Sequence, residues 1–411
     1  MSQFHTPAPS PTDGLNKFLA IKIHRIKMAF LNNRGLSENN NEIIDKLKDF
    51  IRTSEVERVF RAVDRTEYVT PGYEVEIHVV SDWKNGLLHL SAPHIYCEVM
   101  EFLELKPGLS FLNIGSGTGY LSTMAGLILG SSGINHGVEV HPSVVEYALK
   151  KICQFYESST ELDSSDFCEP KFYQGNALCI NPLESAYDRV YCGAACPPDY
   201  EDYFKSLVKV GGILVIPLNG KLQQLRRAGP QSWTSRIFRN VKWATLCVPS
   251  AEEAASPITL DELVPVRLKY LARAAVRTAM RGGVQRRQLE GRQLEEGRQL
   301  EPPPAPSADA SESKRSTSRS RSTSSSHSSC SSRSSSSSSS TSSSRSTSSS
   351  RSSSPFYRRR IDTPTRQRKI EHDKAGALRL HHSCLMKRAV HELPLPYELK
   401  KFVNLGRSLE D

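Results

Sequence analysis

The chain has 411 residues, enough for one or two domains, with a formal net charge of +10 and 38% hydrophobic residues. No apolar run of about 18 residues occurs, which argues against a membrane-spanning helix. There is no secretory cleavage pattern, Ser2 stands where myristoylation needs glycine, and the nine scattered cysteines argue for a reducing compartment rather than a disulfide framework.

Residues 1–40 read as a polar extension in which Leu15 to Phe30 has a basic amphipathic pattern with an interrupted apolar stripe. Ile43, Ile44, Leu47, Phe50 and Ile51 then fall on one face of a helix, and Val56, Val59, Phe60 and Val63 form a second stripe capped by Thr53 or Ser54. Asp82–Leu90 leads through the turn Ser91-Ala-Pro-His94 into a helix over Ile95–Glu104. Strands and helices alternate from there: strand Phe111–Ile114, helix Tyr120–Leu129, strand Ile134–Val140, helix Val144–Glu157, strands Phe172–Gln174 and Tyr187–Cys192, helix Tyr200–Leu207, and a strand through Ile213–Pro217. Further strands are expected at Lys221–Arg227 and Lys242–Val248. Such alternation implies an α/β fold, a mostly parallel sheet with helices on both faces.

The most informative stretch is Gly115-Ser-Gly-Thr-Gly119, between an apolar strand and a helix. Glycines allow a sharp turn and a close approach to a ligand, and the following helix offers free N–H groups. Glu139 ends the next strand, about 20 residues on, where an acid can hold a ribose hydroxyl pair. The bland account of the same pattern is a tight strand–helix turn with no ligand.

The character of the chain changes near Ser250. Residues 1–265 carry 25 Lys/Arg against 31 Asp/Glu, whereas residues 266–411 carry 29 against 13, so the positive excess belongs to the second part. A helix is expected over Leu260–Met280, followed by an Arg-Gln-Leu-Glu repeat at 287–290, 292–295 and 298–301. Residues 311–354 are about two-thirds serine with interspersed arginines, a composition that cannot bury a core and reads as disordered. Its arginines could neutralise phosphates, but no aromatic residues interleave them, so a nucleic-acid partner is not expected. Structure resumes near Ala375. His381, His382 and Cys384 lack a second ligand pair, so no metal site is expected.

Residues 41–250 resemble the protein-L-isoaspartate O-methyltransferase family. The matching blocks are Ile44-Asp45-x-Leu47 with Val63-Asp-Arg65, Leu90-Ser-Ala-Pro-His94, Asn113-Ile-Gly-Ser-Gly-Thr-Gly119, Tyr187-Asp-Arg-Val-Tyr-Cys-Gly193-Ala-Ala195 and Val210-Gly-Gly-Ile-Leu-Val-Ile-Pro217, in family order. The resemblance implies a Rossmann-like sheet that binds S-adenosylmethionine and a methyl transfer to carboxylates of damaged aspartyl residues. It places Ser91 beside the methyl donor as the catalytic serine. Leu88, His89, Leu90, Tyr96, Gly115, Ser116, Gly117, Glu139, Val140, Asn176 and Ala177 join Ser91 as cofactor-binding positions. Ser91 reads equally as an N-cap of the helix behind it. Three departures bear on turnover: the family's Gly-Asp-Gly is Gly175-Asn176-Ala177, no Gln precedes Ser91, and the family's second His is Tyr96.

The tail carries a second resemblance. Leu393-Pro394-Leu395-Pro396-x-x-Leu399, running on to Phe402, is similar to the cullin box of SOCS-box proteins. Leu268, Leu271, Ala272 and Val276 resemble its partner motif, a helical stripe that fits a groove on elongin C. The combination resembles proteins that join a methyltransferase-like domain to a SOCS-box-like tail. It implies a cytoplasmic substrate-recognition subunit of an elongin B/C–cullin-5 ubiquitin ligase, with the nucleus as a second location. A working isoaspartyl methyltransferase in protein repair is the alternative. The expected organisation is an extension over 1–40, the methyltransferase-like domain over 41–250, an elongin-binding helix over 260–282, a disordered linker over 283–374 interrupting the tail, and a C-terminal segment over 375–411 with its cullin box at 393–402.

Overall fold

The computed structural model describes residues 39–73, 81–181, 187–261, 268–300 and 363–409. The Leu15–Phe30 segment and the tract at 311–354 lie outside the described residues. Two compact units divide the chain, one of residues 1–289 with 374–411, the other of residues 290–373. The second contains the C-terminal end of one long helix and the start of the next.

In the first unit, helices α1 (Asn40–Asp45) and α2 (Ser54–Ala62) precede a small hairpin, β1 (Trp83–Asn85) with β2 (Leu88–Leu90). The alternating body follows: α3 (Pro93–Leu103), β3 (Ser110–Ile114), α4 (Tyr120–Leu129), β4 (Ile134–Glu139), α5 (Pro142–Ser158), α6 (Glu161–Ser164), β5 (Lys171–Gln174), β6 (Tyr187–Cys192), α7 (Glu201–Ser206), β7 (Val208–Leu218), β8 (Lys221–Arg227), β9 (Trp233–Asn240) and α8 (Ala251–Ala255). The tail consists of α9 (Leu268–Leu300), α10 (Thr363–His391) and α11 (Tyr397–Val403).

One seven-stranded sheet runs in the order β5-β4-β3-β6-β7-β8-β9. The pairs from β5 to β7 are parallel, and β8 and β9 add an antiparallel edge. Both faces are covered, as a parallel sheet requires. Side chains alternate accordingly: Ile213 and Val215 enter the cluster beneath α2, α3 and α4, while Leu214 and Ile216 enter the one beneath α7.

Most of the expected elements are present, and four differ. The linker expected to be disordered over 283–374 is helical at both described ends, to Leu300 and from Thr363, because the Arg-Gln-Leu-Glu repeat and the charged segment after Thr363 are rich in good helix formers. The first helix stops at Asp45 and gives way to tighter turns, Leu47 N–H to Ile44 O (2.9 Å) and Phe50 N–H to Leu47 O (2.8 Å), before the Glu101 carboxylate takes the N–H groups of Arg52 and Thr53 (2.7 and 2.9 Å) at the next start. Phe50 and Ile51 still pack on the core, from a turn rather than a helix. Lys242–Val248 is not a strand. Trp233–Asn240 already occupies the edge of β8, so the later segment has only a single bridge, Thr245 with Ala195. The helix expected over Leu260–Met280 is described from Leu268 onward, while Leu260 is buried in the second cluster, outside any helix.

Asp163 of α6 connects the tail helices to the body. Arg277 of α9 donates to it at 2.9 Å, Arg407 beyond α11 at 3.1 Å, and the Ser383 hydroxyl of α10 at 2.5 Å. Burial alone would raise the Asp163 pKa, but Arg407, Ser383 and Arg277 outweigh it and hold the carboxyl below its usual range. The same burial lowers the Arg277 guanidinium to about 10, against the pull of Asp163. Removing one member of a buried ionic cluster leaves the others uncompensated, at about 3–5 kcal/mol. Asp163→Asn is therefore expected to destabilise the chain by about 3 kcal/mol and to open the tail helices to limited proteolysis before the sheet unfolds. Because its folded pKa is depressed, the contribution of Asp163 is complete above the unfolded-state value of about 3.9 and is lost as pH falls through the folded one. Denaturation curves across acid pH, compared between the two proteins, check this.

Candidate functional site

The sheet reverses its winding between β3 and β6, since β3 continues to β4 on one side while β6 lies on its other side. At such a switch the loops leave in opposite directions and open a crevice beyond the strand ends. A cleft of about 280 Å³ lies there. Its floor is the glycine turn after β3, where Gly117 has φ +55°, a left-handed value that side chains rarely adopt. A Cβ at Gly117 would stand 3.6 Å from the His89 carbonyl, in the space between hairpin and turn.

Glu139, at the end of β4, faces this turn. Its Oε2 accepts from the Gly117 N–H at 3.1 Å and its Oε1 from the His141 N–H at 3.3 Å. Each oxygen keeps lone-pair capacity for a further donor, as a hydroxyl pair would require. Two more polar atoms at the cleft are buried and unpartnered, Asn113 Oδ1 and Ser116 Oγ. Buried polar atoms without partners are rare in native interiors, and this pair marks where a bound molecule would complete the hydrogen bonding. Asn176 caps a short 3-10 turn through Leu178 N–H (3.1 Å) and donates from Nδ2 to the Cys247 carbonyl at 3.1 Å.

Ser91 lines the cleft, and it does not cap α3. The N-cap is Ala92, whose side chain has no oxygen, and Pro93 needs no N–H partner at the first turn. The capping account of Ser91 is thereby removed. Its backbone N–H donates to the Tyr96 hydroxyl at 3.3 Å. Burial raises the Tyr96 pKa, with Arg65 and Ser91 opposing, so the phenol is protonated near neutrality. Burial lowers the His89 pKa, only partly offset by Asp82, so His89 is neutral there.

Of the residues expected at the cofactor, His89, Ser91, Tyr96, Gly115, Ser116, Gly117, Glu139, Val140, Asn176 and Ala177 line this one cleft. Leu88 and Leu90 do not. Leu88 packs against the core and Leu90 belongs to it, so of this strand only alternate side chains face the cleft. Sequence reasoning missed Asn113 and the Ala244–Cys247 wall. The wall is placed by tertiary pairing, Ala195 N–H to Ala244 O (2.8 Å) and Leu246 N–H to Ala195 O (3.0 Å), for which a single sequence has no local signal.

The two tail motifs also come together. Tyr270 of α9 and Phe402 of α11 lie with ring centres 6.0 Å apart, and the Arg273 guanidinium is 4.9 Å from the Phe402 ring centre. Leu268, Leu271 and Ala272 are exposed, and Val276 is half-buried. Pro394, Pro396 and Leu399 are exposed, with Leu393 and Leu395 half-buried between them. Among the described residues no helix is long and apolar enough to cross a membrane, and no group of three His, Cys, Asp or Glu residues is placed to hold a metal ion.

Comparison with known proteins follows the same boundaries. Residues 38–254 match the family model described as protein-L-isoaspartate(D-aspartate) O-methyltransferase. A protein-L-isoaspartate O-methyltransferase of Triticum aestivum is 28% identical over 226 residues, 53% of this chain and 95% of that protein. Protein-L-isoaspartate O-methyltransferase 1 of Arabidopsis thaliana is 30% identical over 200 residues, 46% of this chain and 80% of its own. Among solved structures, a putative protein-L-isoaspartate O-methyltransferase of Plasmodium falciparum in complex with S-adenosyl-L-homocysteine superimposes with a TM-score of 0.44 at 20% identity, covering 51% of this chain and 99% of that one.

Gly117→Val tests the site directly. A β-branched residue at this φ is strained on the order of 1–3 kcal/mol, and its side chain enters the cleft. Calorimetry with S-adenosylmethionine is expected to show at least a hundredfold loss of affinity in a variant whose circular dichroism is unchanged.

Proposed function

This chain belongs to the protein-L-isoaspartate(D-aspartate) O-methyltransferase family, and from that premise we propose that it is a substrate-recognition subunit of an elongin B/C–cullin-5 ubiquitin ligase whose cofactor-loaded cleft selects isoaspartyl-damaged proteins. S-adenosylmethionine, when bound, supplies a methyl group already activated on a sulfonium. The residues of this chain fit that molecule. Glu139 offers its carboxylate to the ribose hydroxyls, Asn113 and Ser116 offer their unpartnered oxygens, and the glycine turn leaves room for close approach. Asn176 and the Ala244–Cys247 wall line the same cleft beyond Glu139.

A client carboxylate is ionised at neutral pH and needs no general base. Ser91 and Tyr96, hydroxyl-bearing and side by side, are placed to orient it, and the walls limit water. The observation that carries the ligase reading is the packing of Tyr270 against Phe402, which unites the two tail motifs and leaves Leu268, Leu271 and Leu399 outward. Exposed apolar side chains gathered in this way suit a protein partner.

A second reading, a working repair methyltransferase, is favoured by Ser91, which lines the cleft without a capping role. The two readings separate in one assay: methyl transfer from labelled S-adenosylmethionine to an isoaspartyl peptide, with cofactor binding measured on the same sample. Binding without transfer is the expected result. Transfer that disappears in Ser91→Ala would establish the enzyme instead.

The tail is tested separately. Leu268→Asp places a charge on the apolar stripe and is expected to abolish co-elution with elongin B/C. Alanines at Leu393–Pro396 are expected to release cullin-5 while elongin B/C stays bound. Retention of both partners in both variants would refute the ligase reading.

A further inference from the structure

The carboxylate-recognition reading above, on which this inference rests, leaves one buried charge without a role. Arg65 is 1% exposed and forms no ion pair among the described residues. Its Nη2 approaches the carbonyls of Ser81 and Leu90 only at 3.4 and 3.5 Å, and its Nε and Nη1 have no acceptor. Its guanidinium lies 5.9 Å from the ring centres of both Tyr96 and Tyr120. Burying a cation without a counter-ion is costly, and aliphatic side chains would fill the same volume without that cost.

The position of the charge gives it a use. Leu90, whose carbonyl faces the guanidinium, is one residue before Ser91. Tyr96 spans the same gap, with its ring beside Arg65 and its hydroxyl 3.3 Å from the Ser91 nitrogen. Of the other ionisable groups around Arg65, Tyr96, Tyr120 and Cys97 stay protonated because burial raises all three, and Asp82 is half-exposed to water. Inside the fold, where the effective dielectric is low and salt penetrates little, the field of such a cation extends into the cleft.

We propose that Arg65 is a positioning residue whose uncompensated charge makes the Ser91–Tyr96 end of the cleft selective for an anionic carboxylate over its uncharged amide. Arg65 does not touch the client. It acts through Tyr96 and the Leu90–Ser91 peptide, and an isoaspartyl carboxylate supplies the counter-ion the folded chain lacks.

The test uses the full chain saturated with S-adenosylmethionine, and two peptides that differ only in an isoaspartyl residue against isoasparagine. Affinities for both are measured in the unmodified protein, Arg65→Met and Arg65→Lys, with cofactor affinity as the control. The unmodified chain is expected to prefer the acid at least tenfold. Arg65→Met should bring the ratio near one with cofactor affinity kept, and Arg65→Lys should retain most of the preference. A ratio unchanged in Arg65→Met, or lost equally in Arg65→Lys, overturns the role of Arg65 alone. An unmodified chain that does not distinguish the peptides overturns the carboxylate reading itself, and this inference with it. Should Arg65→Met fail to fold, the ratio in unmodified protein at 0.05 and 0.5 M salt decides. A buried source predicts less than about a twofold change, and a steep fall refutes it.

Discussion

The parallel register of β3 with β4 is the constraint from which the cleft follows. Asn113 pairs with Gly137 and Ile114 with Val138, so the strands end together and Glu139 comes to face the glycine turn. Gly115 and Ser116 donate to the Val138 carbonyl, which holds the turn at that height. A shift of one residue would send Glu139 to the other face of the sheet and leave the Gly117 N–H without its acceptor. Gly137 itself has no room for a Cβ, which would stand 2.7 Å from Phe172 and 2.9 Å from Ser116. The ligand geometry is thus a property of backbone pairing first and of side chains second.

The cleft and the tail surface rely on different physics. The cleft is lined by polar atoms left open at the ends of a rigid sheet. The tail depends on one carboxylate, Asp163, on which Arg277 of α9, the Ser383 hydroxyl of α10 and Arg407 beyond α11 converge. Hydrophobic contacts at Val284, Met386 and Val390 add burial to it. A mutation can therefore disturb either feature while sparing the other.

Much of this was legible in the sequence where burial imposes a period. Tyr120–Leu129 and Tyr187–Cys192 are bounded as expected, the first between Gly119 and Gly130 and the second ending before Gly193. The β9 strand was not legible: its residues are mostly exposed, so it has neither a continuous apolar run nor clean alternation. The glycine turn after β3 and Glu139 at the end of β4 followed from motif spacing, and Asn113 of β3 did not. The cleft residues at Ala244–Cys247 and the unpaired state of Arg65 depend on contacts between distant parts of the chain. Ser91 stood open between two roles until Ala92 proved to hold the capping position. No pattern in a single sequence shows that a buried arginine lacks a counter-ion.

The dependence on Asp163 also has a consequence in time. Its second arginine, Arg407, lies 244 residues further along the chain. At a synthesis rate of about 5–20 residues per second, a nascent molecule waits roughly 10–50 s between making the acceptor and making its last donor. Throughout that interval the sheet and cleft can assemble, but the tail cannot lock. The cleft is therefore complete before the tail in the life of each molecule, and a ribosome that stalls late leaves a chain with the first assembled and the second unanchored.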